Sequence, residues 1–332
     1  MPIVKAEEIF EVLKAGLLKH GVNEKIADSC AKLLVENSLD GIYSHGVNRY
    51  PRLISYLEKG YIKPDNKPEC VKAIGAIEQW DGNLGMGNTN AEICMERAVE
   101  LARTHGIGCV ALRNTNHWMR GGAYGLQAAD AGCIGICWTN TQPNMPAWGA
   151  ADRRIGNNPL IMCVPKEKGH VMIDGAMAQF SYGAIEKARL DGRKLPVPGG
   201  FDTNGEMTTD PGEIEKTWRV LPIGYWKGSG FSILLDLIAA LLADGNTTYD
   251  VGRQGEDEYA LSQVLIAIDI SKTTNQSSQI VNKVLADVKS SVRVQDGQEI
   301  YYPGEKEYLT RVDHIKNGIP VNDQVWEQIR EL

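Results

Sequence analysis

The segment YSHGVNRYPRLISYL, residues 43–57, places a histidine four positions before an arginine. Residues four apart on a helix share a face, so a helix capped by Ser44 would hold His45 and Arg49 side by side. The positive end of such a helix would also lower the pKa of the imidazole. A guanidinium can bind a carboxylate while a neighbouring imidazole exchanges a proton with a carbonyl or hydroxyl group. The spacing suits a site for a small carboxylic acid; a capped surface helix with solvated polar residues is the alternative.

The segment RNTNHWMRGG, residues 113–122, combines polar donors with an aromatic ring where a strand is expected to end and a helix to begin. Asn116, His117 and Arg120 have no acidic residue among them, which favours anion or polyol recognition over metal binding. Trp118 and Arg120 could offer a longer, hydroxylated acid a stacking face and a donor. A structural hydrogen-bond network is the alternative role for the histidine.

Two glycine-containing segments could hold a nucleotide. In GYWKGSG, residues 224–230, the backbone can approach a phosphate, with Lys227 as a charge and Trp226 as a stacking surface. In HVMIDGAMAQFSYG, residues 170–183, Asp174 could bind a ribose hydroxyl. A tight turn and a helix N-cap are the respective alternatives. No GxGxxG follows a strand and no GxxxxGKS/T occurs, so neither a Rossmann fingerprint nor a P-loop is indicated.

Composition argues against several classes of partner. The 332 residues carry a net charge of −7 and scattered basic residues, which gives no footprint for nucleic acid. The 7 cysteines form no CxxC pair and no HExxH occurs, so no metal site is predicted. The amino-terminal residues indicate an amphipathic helix rather than an export signal. The apolar run Phe231–Ala243 contains Asp236 and is shorter than the ~20 residues that span a bilayer. We therefore expect a cytoplasmic protein without a membrane partner.

Periodicity places these segments on an α/β or α+β scaffold. Helical spacing of apolar residues predicts helices at 6–20, 24–38, 91–106, 122–132, 231–243, 277–291 and 322–331. Apolar or alternating runs predict strands at 107–114, 133–140, 158–165, 170–176 and 263–270. Glycine and proline predict a long irregular loop at 190–222 and a turn at 301–308.

Four stretches occur in a characteristic order: DGIYSHGVNRYPRLI, NTNHWMRGGAYG, RIGNNPL with DGA and SYG, and LPIGYWKGSGFSILLDLIAALLADG. Together they resemble the type-2 malate/L-lactate dehydrogenases over essentially the whole chain. The resemblance implies an α/β (mixed α+β) fold that binds NAD(P) without a Rossmann domain, with a largely antiparallel or mixed central sheet and flanking helices. It also implies a helical or mixed domain formed by 1–115 with 295–332, which carries the catalytic histidine, and a cofactor-binding domain at 116–294.

The function implied by the resemblance is NAD(P)-dependent oxidoreduction at the CH–OH group of a 2-hydroxy acid, here as an NADH-dependent reductase of a 2-oxo or 2,3-dioxo sugar acid. His45 would be the catalytic proton donor. The substrate would be bound by Arg49, Asn116, His117 and Arg120. The cofactor would be bound by His170, Val171, Met172, Ile173, Asp174, Gly175, Ala176, Trp226, Lys227, Gly304, Glu305 and Lys306. Lys306 stands where the family has a PGHE-like turn and could tolerate the 2′-phosphate of NADPH.

Other assignments compete with this one. Within the enzyme class they are malate, L-lactate and ureidoglycolate dehydrogenases. Outside it, a non-catalytic anion-binding protein could share the fold. The partners expected are a small-molecule acid and, by resemblance, a second copy of the chain in a homodimer with the cofactor site at or near the subunit boundary.

Overall fold

The computed structural model describes residues 1–255 and 257–332. Its strands are β1 (Ile3–Val4), β2 (Glu69–Ile74), β3 (Ile77–Asp81), β4 (Ile107–Thr115), β5 (Cys133–Thr139), β6 (Met145–Pro146), β7 (Arg153–Ile155), β8 (Leu160–Val164), β9 (Val171–Gly175), β10 (Gly200–Phe201), β11 (Met207–Thr208), β12 (Leu261–Asp269) and β13 (Ile319–Pro320). Its helices are α1 (Ala6–Lys19), α2 (Glu24–Leu39), α3 (Tyr50–Glu58), α4 (Gly87–His105), α5 (Gly122–Asp130), α6 (Tyr182–Leu190), α7 (Pro211–Thr217), α8 (Trp226–Ala243), α9 (Thr248–Gly252), α10 (Ser277–Lys289), α11 (Glu305–Asn317) and α12 (Asp323–Glu331).

A seven-stranded mixed sheet crosses the described part of the chain in the order β2-β3-β4-β12-β5-β8-β9. Only the β3–β4 pair within this sheet is parallel. The long strand β12 lies at the centre, where Val264 pairs with Ala111 of β4 and with Trp138 of β5. The predicted central sheet of mixed direction with flanking helices is confirmed.

Side-chain alternation along the strands explains the layers. In β4, Val110 and Leu112 pack with the helices α4 and α5, whereas Cys109 and Ala111 pack with α8 on the opposite face. Successive residues of a strand point to opposite faces, so a strand covered on both sides is apolar at nearly every position. This is why the segment reads as a continuous apolar run rather than as an alternation.

One edge of the sheet collects polar residues, because the strand directions bring the ends of β4, β5 and β9 together with the beginnings of β8 and β12. We call it the polar edge. It comprises Thr115–His117, Thr139–Thr141, Asn157–Asn158 and Asp174, with Gln263 at the start of β12. Gln263 donates from Nε2 to the carbonyl of Asn116 at 3.3 Å. The ends of strands in α/β sheets are the usual position for ligands.

The amino-terminal helices form a second layer. α1, α2 and α3 share a hydrophobic core with the carboxyl-terminal elements, in which Leu13, Leu34, Ile54 and Trp326 are buried. β1 pairs with β13, so the two ends of the chain meet in this layer. β2, β3 and β4, which precede the domain boundary predicted at 115/116, belong to the same sheet as the strands that follow it.

Several predicted elements differ from the observed ones. Helix α8 begins at Trp226, before the predicted start at 231, and α11 begins at Glu305, inside the predicted turn. β2 was not predicted, because every one of its residues is exposed and no burial pattern marks it. The predicted loop 190–222 contains α7 and the short hairpin β10–β11, which pack with α6 into a small lobe around buried Ile185 and Ile214.

Helix α8 is the one helix among residues 1–255 and 257–332 that is long and apolar enough to cross a membrane by length and composition. Its sheet side packs through Leu235, Ala239 and Ala243. Asp236 on the same helix accepts hydrogen bonds from Asn140 Nδ2 at 2.9 Å and from the amide of Thr248 at 2.8 Å. The opposite face of α8 exposes large apolar side chains.

Candidate active site

His45 lies in a 3-10 turn, Tyr43–His45, and not in the first turn of an α-helix as predicted. A second 3-10 turn ends at Arg49, and α3 follows with Pro51 in its first turn, where a missing amide N–H costs little. Gly46 separates the two turns and passes close to α2, since an added β-carbon would lie 2.3 Å from Ser38 Oγ. The segment therefore bends around α2 instead of presenting one helical face.

Polar side chains of α2 hold this bend. Asn37 Nδ2 donates to the carbonyl of His45 at 2.9 Å, and Ser38 Oγ accepts from the amide of Val47 at 2.9 Å. Ser44, the predicted cap, makes no capping bond, and its Oγ lies 3.0 Å from Nδ1 of His45. The imidazole is thus positioned by tertiary contacts.

Two imidazoles stack in the site. The rings of His45 and His117 are nearly parallel, with centroids 5.7 Å apart and an interplanar angle of 14°. His117 follows β4 at the polar edge, and its Nδ1 accepts a hydrogen bond from the amide of Met119 at 3.0 Å. Met119 adopts φ +66 to make this contact. Neutral His117 therefore carries its proton on Nε2 and can donate from that atom.

Both imidazoles are poor proton acceptors in this environment. Burial, together with the charges of Arg49 and Arg120, lowers the pKa of His45 to about 4. Burial, followed by Arg49 and then by His45 itself, also holds the pKa of His117 well below its ordinary value. Burial and guanidinium charges thus produce the low pKa that the sequence attributed to a helix dipole.

Arg49 is a cation without a carboxylate of its own. Within residues 1–255 and 257–332, no Asp or Glu forms an ion pair with it. Burial and the neighbouring Arg52 lower its pKa to about 10, while Glu258 acts in the opposite direction. At that pKa the guanidinium stays charged at neutral pH. A partly buried cation that makes no direct ion pair with the described carboxylates, beside two neutral imidazoles, is suited to bind an anion.

Arg120 differs from Arg49 because its charge is already compensated. It is 4% exposed, its Nη1 donates to Asp40, and its Nε lies 3.7 Å from Asp174 Oδ2. Its charge acts on His45, but its partners are carboxylates of the protein. The structure therefore places the predicted substrate contact in a buried ion cluster.

Asn116 and Trp118 also have structural contacts. Asn116 is 1% exposed, and its amide donates to the carbonyls of Tyr61, Leu84 and Gly85 at 3.0 to 3.2 Å. Trp118 is buried against Tyr124, with ring centroids 5.4 Å apart. The stacking face that the sequence suggested for a hydroxylated acid is a core contact.

The predicted cofactor residues lie in a line along β9, the last strand of the sheet. At its beginning, the amide of Met172 donates to the carbonyl of Pro303 at 2.9 Å. Gly304 has φ +88, and an added β-carbon would lie 2.9 Å from the carbonyl of His170, so the turn needs glycine there. Beyond its end, the carbonyl of Met177 accepts from the amide of Ile223 at 2.9 Å, next to the start of α8. Three segments distant in sequence are thus adjacent.

The side chains along β9 divide between two faces. Met172 and Asp174 face α5, where Asp174 Oδ2 accepts from the amide of Gly122 at 2.8 Å. Burial raises the pKa of Asp174 despite Arg120. Ile173 points to the other face and is exposed. Asp174, on β9, therefore caps the amino-terminal end of α5. The role of helix N-cap is the alternative that the sequence offered for this residue.

The remaining predicted cofactor residues are at the two ends of this line. Trp226 is exposed at the start of α8, and Lys227 Nζ lies 5.9 Å from its ring centroid. His170 accepts at Nδ1 from the amide of Lys166, and its Nε2 lies 2.9 Å from Asp130 Oδ1. Of the others, Val171, Gly175 and Ala176 are half-buried, Glu305 is paired with Lys289, and Lys306 lies with its Nζ 4.8 Å from the Tyr301 ring centroid.

Two residues near the imidazoles were not identified from the sequence. Asp40 accepts from Arg120, and Arg52 acts on the pKa of both Arg49 and His117. No local pattern marks Asp40, because its partner is 80 positions away. No cluster of three or more His, Cys, Asp or Glu side chains suited to a metal ion is found in the described residues.

Comparison with known proteins agrees with this architecture. The family described as malate/L-lactate dehydrogenase matches residues 4–330. The 2,3-diketo-L-gulonate reductase of Escherichia coli (strain K12) is 49% identical over 329 residues, covering 97% of this chain and 99% of that protein. Malate dehydrogenase from Entamoeba histolytica superposes with a TM-score of 0.93 at 27% identity, over 99% of this chain and 96% of that chain. Sulfolactate dehydrogenase from Methanocaldococcus jannaschii gives 0.89 at 29% identity with coverage of 99% and 96%.

The extent of these matches decides the assignment. The family match spans nearly every residue, and the reductase relative aligns almost end to end. The structural relatives are themselves dehydrogenases with the same arrangement of sheet and helices. The chain therefore belongs to the malate/L-lactate dehydrogenase family, and it is an oxidoreductase of that family.

Proposed function

We propose that this enzyme is an NADH-dependent reductase of 2,3-diketo-L-gulonate or a closely related 2-oxo sugar acid. The observation that carries the proposal is the charged Arg49, which forms no ion pair within residues 1–255 and 257–332, beside the stacked imidazoles of His45 and His117. The carboxylate of a substrate would form an ion pair with the Arg49 guanidinium. The carbonyl next to that carboxylate would then lie near one of the imidazoles. The 49% identity to a 2,3-diketo-L-gulonate reductase supports the choice of substrate.

In this proposal Arg49 binds the substrate carboxylate and His45 supplies the proton. A bound nicotinamide supplies the hydride that the carbonyl carbon accepts. The carboxylate neutralises the charge of Arg49, so the pKa of His45 rises when the substrate binds. His45 then holds a proton and delivers it to the carbonyl oxygen as negative charge develops there. His117, with its proton on Nε2, is placed to donate a hydrogen bond to an oxygen of the substrate.

The residues along β9 fit an extended dinucleotide. The five residues of β9 span about 16 Å at ~3.3 Å per residue. β9 is an edge strand of the seven-stranded sheet. The Gly304 turn at one end lets a ligand come close to the backbone, and exposed Trp226 at the other offers a ring for stacking. Lys227 and Lys306 are cations that would hold phosphates. We propose NADH as the preferred cofactor, with NADPH as the second candidate.

A steady-state substrate panel tests this function. With NADH we expect kcat/KM for 2,3-diketo-L-gulonate to exceed that for oxaloacetate or pyruvate by tenfold or more, since each missing substrate hydrogen bond costs about 1–3 kcal/mol. The readout is NADH absorbance, repeated with NADPH. Faster reduction of oxaloacetate or pyruvate would favour a malate or lactate dehydrogenase, and turnover of ureidoglycolate with NAD would favour that dehydrogenase. Absence of turnover and of tryptophan quenching by NADH would indicate an anion-binding protein.

We further propose that the enzyme is a homodimer. Two apolar surfaces are uncovered: the outer face of α8, with Phe231, Leu234 and Leu241 exposed, and helix α10, which has no buried residue. Exposed clusters of large apolar side chains are typical of contacts between subunits. The start of α8 also carries Trp226, so a partner on this face would lie close to the proposed cofactor site.

A charge placed on α8 tests the dimer. Light scattering of the wild type should give twice the 36.5 kDa chain mass. Leu241→Glu should shift the mass toward that of a single chain, because burying a carboxylate at an apolar interface is costly. Leu190→Glu is the matched control, since Leu190 is similarly exposed but lies on α6. A wild type of single-chain mass at micromolar concentration would contradict the proposal.

A further inference from the structure

Asp40 joins three parts of the molecule. It is the C-cap residue that directly follows α2, and it is 5% exposed. Its Oδ2 accepts from Nη1 of Arg120, in the loop before α5. Its Oδ1 accepts from Nε of Arg311 on α11 at 2.5 Å. Arg311 has a second partner, Glu36, whose Oε2 lies 2.5 Å from its Nη1.

The position of Asp40 is unfavourable for a carboxylate taken alone. The carboxyl end of a helix carries partial negative charge, and α2 has no basic residue in its last turn to offset it. Burying two charged groups also carries a desolvation cost that a well-packed apolar pair would avoid. Stability by itself is therefore a weak reason for the cluster of Asp40, Arg120 and Arg311. The location of the cluster suggests a role in the reaction.

The cluster joins the segments that carry the two imidazoles. Asp40 caps α2, whose Asn37 donates to the carbonyl of His45 at 2.9 Å. Arg120 follows His117 by three residues. Arg120 is held between Asp40 of α2 and Asp174 of β9, and its charge acts on His45. Its Nε is 3.7 Å from Asp174, so the bond to Asp40 is the closer of its two carboxylate contacts. Through Arg311, the same carboxylate is tied to α11, whose first residues follow the Gly304 turn.

We propose that Asp40 is a positioning residue for the reduction: it fixes the guanidinium of Arg120 between α2 and β9 and links it to α11. The charge of Arg120, which acts on His45, is then held in one position and partly compensated by the carboxylate of Asp40. This inference rests on the proposed function, since it assigns a role in the reaction of His45. Asp40 itself does not touch the substrate.

Neutralising Asp40 should change the reaction in a defined direction. Without its charge, the field of Arg120 at His45 becomes more positive, and the imidazole holds a proton less well. An anion in the site would meet the same stronger positive field, so its binding should not weaken. The charged groups that face Asp40, Asp174 or the imidazoles are Arg49, Arg52, Arg120, Glu307 and Arg311, with His45 and His117 facing each other. Glu36 faces Arg311.

The test compares Asp40→Asn with Glu36→Gln, a matched control that removes a carboxylate from Arg311 but none from Arg120. For Asp40→Asn we expect the decline of kcat with rising pH to begin about one unit lower, and kcat at a fixed pH on that declining limb to fall about tenfold, since one unit is a factor of ten in protonation. The dissociation constant of oxamate, an unreactive 2-oxo carboxylate, should stay equal or decrease. Glu36→Gln should have a kcat and an oxamate dissociation constant within twofold of those of wild type, and an unchanged pH profile.

The outcomes separate the positioning role from a structural one. Weaker oxamate binding together with a lower kcat and an unmoved pH profile would mean that Asp40 only supports the fold, and would overturn the proposal. If Asp40→Asn does not fold, Asp40→Glu retains the charge but displaces the guanidinium; it should lower kcat at least fivefold with an unmoved profile, and wild-type kcat would overturn the proposal. A wild type that neither turns over a 2-oxo acid nor binds oxamate would refute the proposed function itself and the assignment of Asp40 with it.

Discussion

Replacing His45 with glutamine is expected to lower kcat for reduction about a hundredfold or more, which is the usual contribution of a general acid. Glutamine keeps polarity and approximate size but cannot transfer a proton at neutral pH. The stack on His117, with centroids 5.7 Å apart, should be the main packing contact affected. NADH binding, measured by quenching of tryptophan fluorescence, should be nearly unchanged, because the proposed cofactor residues lie along β9 and at the start of α8.

The control for this variant is His105→Gln. His105 is exposed in the last turn of α4, on the far side of the sheet from the polar edge, and has no contact with the imidazole pair. Its kcat should match that of wild type. A His45→Gln enzyme that retains kcat within about threefold would remove His45 from the role of proton donor, which typically contributes 10²–10⁴-fold, and would direct attention to His117.

Oxamate binding near pH 7 is expected to take up close to one proton per site. In the free enzyme, burial and guanidinium charges hold the pKa of His45 at about 4, so the imidazole is neutral. A bound carboxylate compensates Arg49 and raises that pKa, so protonation and anion binding stabilise each other. The affinity for oxamate should therefore rise as the pH falls through the pKa of the complex and level off below that of the free enzyme.

Calorimetry in buffers of different ionisation enthalpy measures this uptake directly. His45→Gln should bind oxamate without taking up a proton, which identifies the titrating group. Arg49→Met should weaken oxamate binding by roughly 30-fold or more, since a hydrogen-bonded ion pair contributes about 2 kcal/mol or more. Arg52→Met is the comparison, because Arg52 donates to Tyr56 and is the neighbouring cation of Arg49. If oxamate binds without proton uptake and with an affinity that does not depend on pH, the proposed coupling between anion binding and protonation of His45 is contradicted.

The strongly periodic elements could be predicted from the sequence. α1, α2 and α4 have their buried residues at helical spacing, and β4 and β12 are apolar at nearly every position because helices cover both faces. β2 and α11 could not be predicted in this way, since their apolar residues are largely exposed in the described chain. Local periodicity reports burial, so an element whose position depends on distant contacts leaves no such pattern.

The candidate site divides in the same way. The sequence by itself determined the family and the chemical types in the site, an imidazole and a guanidinium four residues apart. Only the tertiary structure decided that Arg49 forms no ion pair with any carboxylate of the described residues, whereas Arg120 is compensated by Asp40, 80 positions away. It also replaced the expected helix by two 3-10 turns bent around α2. Charge pairing and burial depend on which distant segments pack together, and spacing along the chain carries no information about that contact.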